Sequence, residues 1–168
     1  MQHVALSIFD KELCQPFFDR LTDLFHEHHH SEEQDPDGYE SLLYRVYRPY
    51  NPEMLDKIDG WMGLEERSWR AETQREVLLS LYAIRYPDTL LIESLTDKAR
   101  SDIRRLSAYL HFTHHTYSIW DDDTRKGLSK LGIHIPEMKE ADPFIYGAYV
   151  SSIELLKDVA PFTCFLEH

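Results

Sequence analysis

The residues of this chain that could do chemistry are its histidines. His26-Glu27-His28-His29-His30 matches H-E-x-x-H. That spacing sets two histidines on one helix face to bind zinc and leaves the glutamate as general base. A second group comes much later: His111, His114 and His115, followed by Asp121, Asp122 and Asp123. His111 and His115 stand four apart and share a face if a helix reaches them; with one carboxylate they could hold a metal. His26, Glu27, His30, His111 and His115 therefore define one reading of the chain, a zinc-dependent hydrolase. The leading expectation differs. The first pattern sits where its helix ends, beside a polar loop, and a run of histidines meets many patterns by chance. Histidines in a last turn also complement the helix dipole when protonated. The second group reads as a solvated loop with one or two histidines packed near Tyr117 and Trp120. No catalytic residue, metal or cofactor is assigned on this basis.

Other reactive patterns are missing or unspecific. No pair of glycines is spaced for a phosphate loop, and no G-x-S-x-G elbow occurs. Cys14 has no evident histidine partner in sequence. Paired carboxylates abound in a chain with 30 acids, so they single out nothing. Tyr44, Tyr47 and Tyr50 recur at three-residue steps after Tyr39, with Arg45 and Arg48 between them. Tyrosine and arginine are common at binding hot spots, although tyrosine is equally a half-buried core residue. The expected partner-binding set is Tyr44 and Tyr47 with the acidic run Glu32, Glu33, Asp35 and Asp37.

Helices must position these groups. The organising stretch runs from Arg70 to Leu110 and reads as three consecutive amphipathic helices: Arg70 to Arg85, Pro87 to Thr96, and Ser101 to Phe112. In the first, Trp69, Thr73, Val77, Leu78, Leu81, Tyr82 and Ile84 keep the spacing of one buried face. Pro87 stops it, because the residue before a proline avoids the helical region. Asp97 and Ser101 are the expected N-caps of the third helix, whose core face is Ile103, Leu106 and Leu110, with Arg100, Asp102, Arg104 and Arg105 outside.

Before this stretch, a helix from about Pro16 to His29 carries Leu13, Phe17, Leu21, Leu24 and Phe25 on its core face. Ser31 to Gly38 is a loop by composition. A second helix is expected over Tyr39 to Arg48. Asn51-Pro52 opens a third, with Met54, Leu55, Ile58, Trp61 and Met62 inward and Gly60 and Gly63 at its end. After the stretch, Thr113 to Ile119 is a loop. Asp121 to Asp123 start a short helix where negative charge meets the positive dipole end, and Gly132 ends it. An extended connector follows. The last helix covers Pro143 to Val159, with Phe144, Ile145, Ala148, Tyr149, Ser152, Ile153 and Leu156 inward.

The run from Leu95 to Leu110, with Asp97, Arg104 and Ala108, resembles the second helix of HEAT-like repeats. Asp122, Arg125 and Leu128 echo it, so the resemblance spans roughly residues 54–131. It implies a helical stack of the kind that usually serves as a protein-binding scaffold. No strict repeat period runs through the chain, as an array would show. The expectation is all-α: a single domain over residues 1–165 of seven or eight helices, as an irregular bundle or a short HEAT-like stack.

Size and charge narrow the function. The chain has 168 residues, 42% of them hydrophobic, with 8 Phe, 10 Tyr and 3 Trp, enough for a core without disulfides or metals. Leu166, Glu167 and His168 look like an expression-tag remnant. The start lacks the pattern of a signal peptide, and Cys14 and Cys164 suit free thiols in the cytoplasm. Thirty acids against 18 bases give a formal charge of −12, which disfavours nucleic acid and anionic membrane and favours a basic protein partner. The expected function is a non-enzymatic acidic binding module. Bacterial toxin-immunity proteins and inhibitors act this way, covering a basic toxin or nuclease.

Overall fold

Proline, aspartate and glycine punctuate this chain into helices. The computed structural model describes residues 15–29, 36–43, 52–84, 89–99 and 102–160, with backbone alone at 15, 25–29, 36–37, 89–91 and 98–99. They form α1 (Gln15–His29), α2 (Pro36–Leu43), α3 (Pro52–Trp61), α4 (Ala71–Ala83), α5 (Thr89–Ala99), α6 (Ile103–Thr113), α7 (Asp122–Lys130) and α8 (Pro143–Val159). There is no strand among the described residues. No helix there is long and apolar enough to cross a membrane.

Three aspartates start helices in the same manner. Asp102 accepts a hydrogen bond from the Arg104 amide at 2.9 Å, and Asp121 from the Thr124 amide at 2.7 Å. Asp142 accepts from Phe144 at 2.8 Å and Ile145 at 3.2 Å. Each satisfies amides that the first turn leaves without an intrahelical acceptor. The α6 cap is Asp102, not the expected Asp97 or Ser101: Asp97 is inside α5, and Asp102 immediately precedes the first helical residue. Gly132 follows α7 with φ 79°, and Gly63 follows α3 with φ 63°. Both conformations favour a residue without a Cβ.

α6 lies at the centre and touches α3, α4 and α5; α8 packs back on α5. Its burial follows from that place. Ile103, Leu106, Ser107, Ala108, Tyr109, Leu110 and Phe112 are all buried, more than one helix face can supply. The architecture is an irregular helical bundle with one core.

Three expectations about these elements need correction. Pro36 to Gly38 belong to α2 rather than to a loop, because a proline is well placed in a first turn. Tyr82 is exposed, not buried; it falls five residues past Val77, about 140° round the helix. Phe144 is exposed as well. It stands two residues before Tyr146, about 200° away from that fully buried ring. The extended connector after α7 runs inward at its start, where Ile133 and Ile135 are buried in the core.

Candidate functional site

The later histidine group is held by α6 and the turn that follows it. His111 sits in the last turn of α6. Its Nδ1 lies 2.8 Å from the Tyr117 carbonyl oxygen and its Nε2 lies 2.8 Å from the Tyr39 hydroxyl. A carbonyl only accepts, so Nδ1 carries the proton. Nε2 of the neutral ring then accepts from Tyr39. Burial lowers the His111 pKa; the Tyr117 carbonyl opposes this, and His115 and Lys157 add to it. Burial also raises the Tyr39 pKa, which keeps its hydroxyl a donor. The Tyr39 ring stacks on His111 at 5.9 Å and meets Trp61 and Phe112, each at 5.6 Å. His111 thus fastens α2 to α6.

The segment between α6 and α7 is not a solvated loop. Tyr117 and Trp120 are buried. Three successive carbonyls there accept from three different side chains: Tyr117 from His111, Ser118 from the Tyr146 hydroxyl at 2.9 Å, and Ile119 from the Tyr149 hydroxyl at 2.8 Å. The next amide, of Trp120, donates to Ser107 Oγ at 2.8 Å. Buried backbone needs such partners wherever it leaves regular structure. Burial raises the Tyr149 pKa, so its hydroxyl keeps the proton that it donates.

This geometry bears on metal binding. Both ring nitrogens of His111 are engaged, so an ion at Nε2 must displace Tyr39. His115 is exposed, its ring 5.7 Å from that of His111. Among the described residues no three His, Cys, Asp or Glu side chains gather as a metal would require. His26 and Glu27 occupy the last turn of α1, where only backbone is described, and His30 lies outside the described residues. Glu32, Glu33, Asp35, Tyr44 and Tyr47 also lie outside them, and Asp37 is placed in α2 by its backbone alone.

A second polar cluster is one that the sequence reading passed over. Asp59 of α3 is buried. Its Oδ2 accepts from Arg67 at 2.5 Å, and its Oδ1 accepts from the Tyr109 hydroxyl at 2.6 Å and Arg105 Nε at 3.1 Å. Arg67 also donates to the Tyr109 hydroxyl at 3.1 Å and pairs with Asp56. Arg105 reaches the Glu65 carbonyl. The Arg67 guanidinium lies 5.9 Å from the Trp69 ring. Burial, followed by the Asp59 carboxylate, drives the Tyr109 pKa upward. The cluster ties the segment between α3 and α4 to α3 and α6. Arg105, expected outside, points inward because Asp59 draws it there. A signal did exist: Asp59 follows Leu55 by four and precedes Met62 by three, so it stands on the apolar stripe of α3. An acid on such a stripe demands an internal cation.

The described surface is acidic and carries an apolar pair. Leu79, Tyr82 and Phe144 are the large apolar side chains exposed among the described residues, and two of the three lie on α4. Glu72, Arg75 and Glu76 are exposed on the same helix. No protein-family model, curated protein or solved structure matches the chain.

Proposed function

We propose that this chain is an acidic protein-binding module, an inhibitor or toxin-neutralising immunity-type protein that covers a basic partner in a bacterial cytoplasm. The supporting observation is the placement of charge. The formal charge is −12. Arg67 and Arg105, only 6% and 15% exposed, are drawn inside against Asp59, the one acid buried among the described residues. These two cations are thereby kept from the surface, Arg67 offsetting Asp56 as well as Asp59. Asp19, Asp23, Glu53, Asp56, Glu72 and Glu76 are exposed. Such a field speeds encounter with a cationic surface and rejects anionic ones. In this reading Glu32, Glu33, Asp35 and Asp37 add to the field, and Tyr44 and Tyr47 supply anchors.

The test is capture of the partner from the native host, followed by association kinetics of the purified pair at 50 and 500 mM salt. The expected result is a basic protein whose on-rate falls about tenfold or more across that range. An acidic partner, or an on-rate indifferent to salt, overturns the proposal.

A further inference from the structure

α4 buries one side against the core and, on the opposite side, exposes Leu79 and Tyr82 next to charged residues. Val77, Ser80 and Leu81 are buried, and Ile84 beyond the helix continues their line. At about 100° per residue, Leu79 falls about 200° from Val77. Around Leu79 on that outer side lie Glu72, Arg75, Glu76, Tyr82 and Ala83, all exposed. Leu79 is 60% exposed and Tyr82 74%. Their spacing from Glu72 runs three, four, seven, ten and eleven residues, the rhythm by which one helix meets another.

We infer that the outer face of α4 is the seat of an amphipathic, cationic helix belonging to the partner. The inference rests on the binding function proposed above and names the surface and the chemistry recognised. Leu79 and Tyr82, one turn apart, form the apolar anchor. Glu76 and Glu72 lie about 4.5 and 10.5 Å from Leu79 along the axis, toward the N-terminus, and with Arg75 beside them they leave this end of the face with one net negative charge. A complementary helix places apolar residues on the anchor and Lys or Arg one and two turns further along. A second copy of this chain fits poorly, because it brings another −12 and its own Glu72 and Glu76 to the contact.

The test uses the full chain and a labelled 18-residue helical peptide of Leu and Lys, with leucines in an a/d pattern, and a matched Leu/Glu peptide. Fluorescence anisotropy is expected to show binding of the Leu/Lys peptide alone. Leu79→Ser with Tyr82→Ser is expected to weaken it at least tenfold, and so is Glu72→Lys with Glu76→Lys. The charge-matched control, Glu137→Lys with Glu140→Lys at other exposed positions, is expected to weaken it far less. Equal binding to all variants, or binding of both peptides, overturns the inference. So does a sedimentation coefficient that rises with concentration for the native chain and not for the Leu79→Ser, Tyr82→Ser variant, because the face then belongs to a second copy. The melting temperature of that variant is expected to stay within about 4 °C of the native value; a larger fall means that the chain itself covers the face, and overturns the inference. The captured native partner separates the two proposals. If it binds the Leu79→Ser, Tyr82→Ser variant unchanged yet with a salt-sensitive on-rate, this docking face is wrong and the acidic binding function stands.

Discussion

Asp59 and Arg105 stand 46 residues apart in the chain and 3.1 Å apart in space. The contact joins α3 to the central helix, with Asp59 buried and Arg105 15% exposed. With Arg67 and Tyr109 it forms a closed set in which each carboxylate oxygen of Asp59 has a donor. Removing one member of such a set leaves the others desolvated and unmatched, which costs about 3–5 kcal/mol. Asp59→Ala is therefore expected to lower the urea midpoint by that equivalent. Asp59→Leu combined with Arg67→Met should cost less than Asp59→Leu alone, since it removes a stranded cation together with the acid. A double-mutant cycle in urea measures the difference, and additive losses would contradict the buried pairing.

Ser107 has a narrower duty. Its hydroxyl donates to the Arg104 carbonyl at 2.9 Å and accepts from the Trp120 amide at 2.8 Å. Ser107→Ala leaves that buried amide without an acceptor, a loss of about 1–3 kcal/mol. Hydrogen exchange at the Trp120 amide should accelerate along with the fall in stability. Ser107→Thr keeps the hydroxyl, but the residue is fully buried, so the added methyl should destabilise through overpacking while Trp120 stays protected.

The helices were legible in the sequence because period and punctuation act locally. Pro52, Asp121, Pro143 and Gly132 bound elements whatever the tertiary contacts are. What stayed hidden was the direction of side chains that sit beside the stripe. Tyr82 and Phe144 read as core because apolar character alone assigns no side, and the neighbours that decide it come from other helices. Arg105 reads as solvent-facing for the converse reason: its partner lies on α3, and nothing near it in sequence marks that acid. The histidines show the same limit. The spacing of His111 and His115 suggested shared ligation, yet the His111 ring is taken by Tyr39 and Tyr117, which only folding brings to it.

His111 makes stability depend on pH in a definite direction. Its folded pKa lies below the ordinary value of 6.5, chiefly through burial. The unfolded chain therefore takes up a proton before the folded one does. Stability is fully present above about pH 6.5 and declines as pH falls toward the folded pKa. Below that pKa this residue adds no further slope. In His111→Gln, stability between pH 7 and 5 should fall less steeply than in the native chain, although the variant is less stable at pH 7. Urea titrations at half-unit steps give both slopes, and parallel slopes would remove His111 as their source.

Asp142 couples a helix cap to the pinned turn. It holds the amides of Phe144 and Ile145 while Pro143, with no amide hydrogen, leaves one fewer to satisfy. The next residue, Tyr146, belongs to the same first turn, and its hydroxyl fixes the Ser118 carbonyl at 2.9 Å. Fraying that turn loosens both ends of this contact. Asp142→Ala is expected to cost about 1–2 kcal/mol as a lost cap, and Asp142→Asn a few tenths. Tyr146→Phe alone strands a carbonyl at a cost of about 1–3 kcal/mol. If the cap sets the position of Tyr146, the double variant loses less than the two single losses combined, by about 0.5 kcal/mol or more. Strict additivity in the urea cycle would show that the turn holds Tyr146 without help from Asp142.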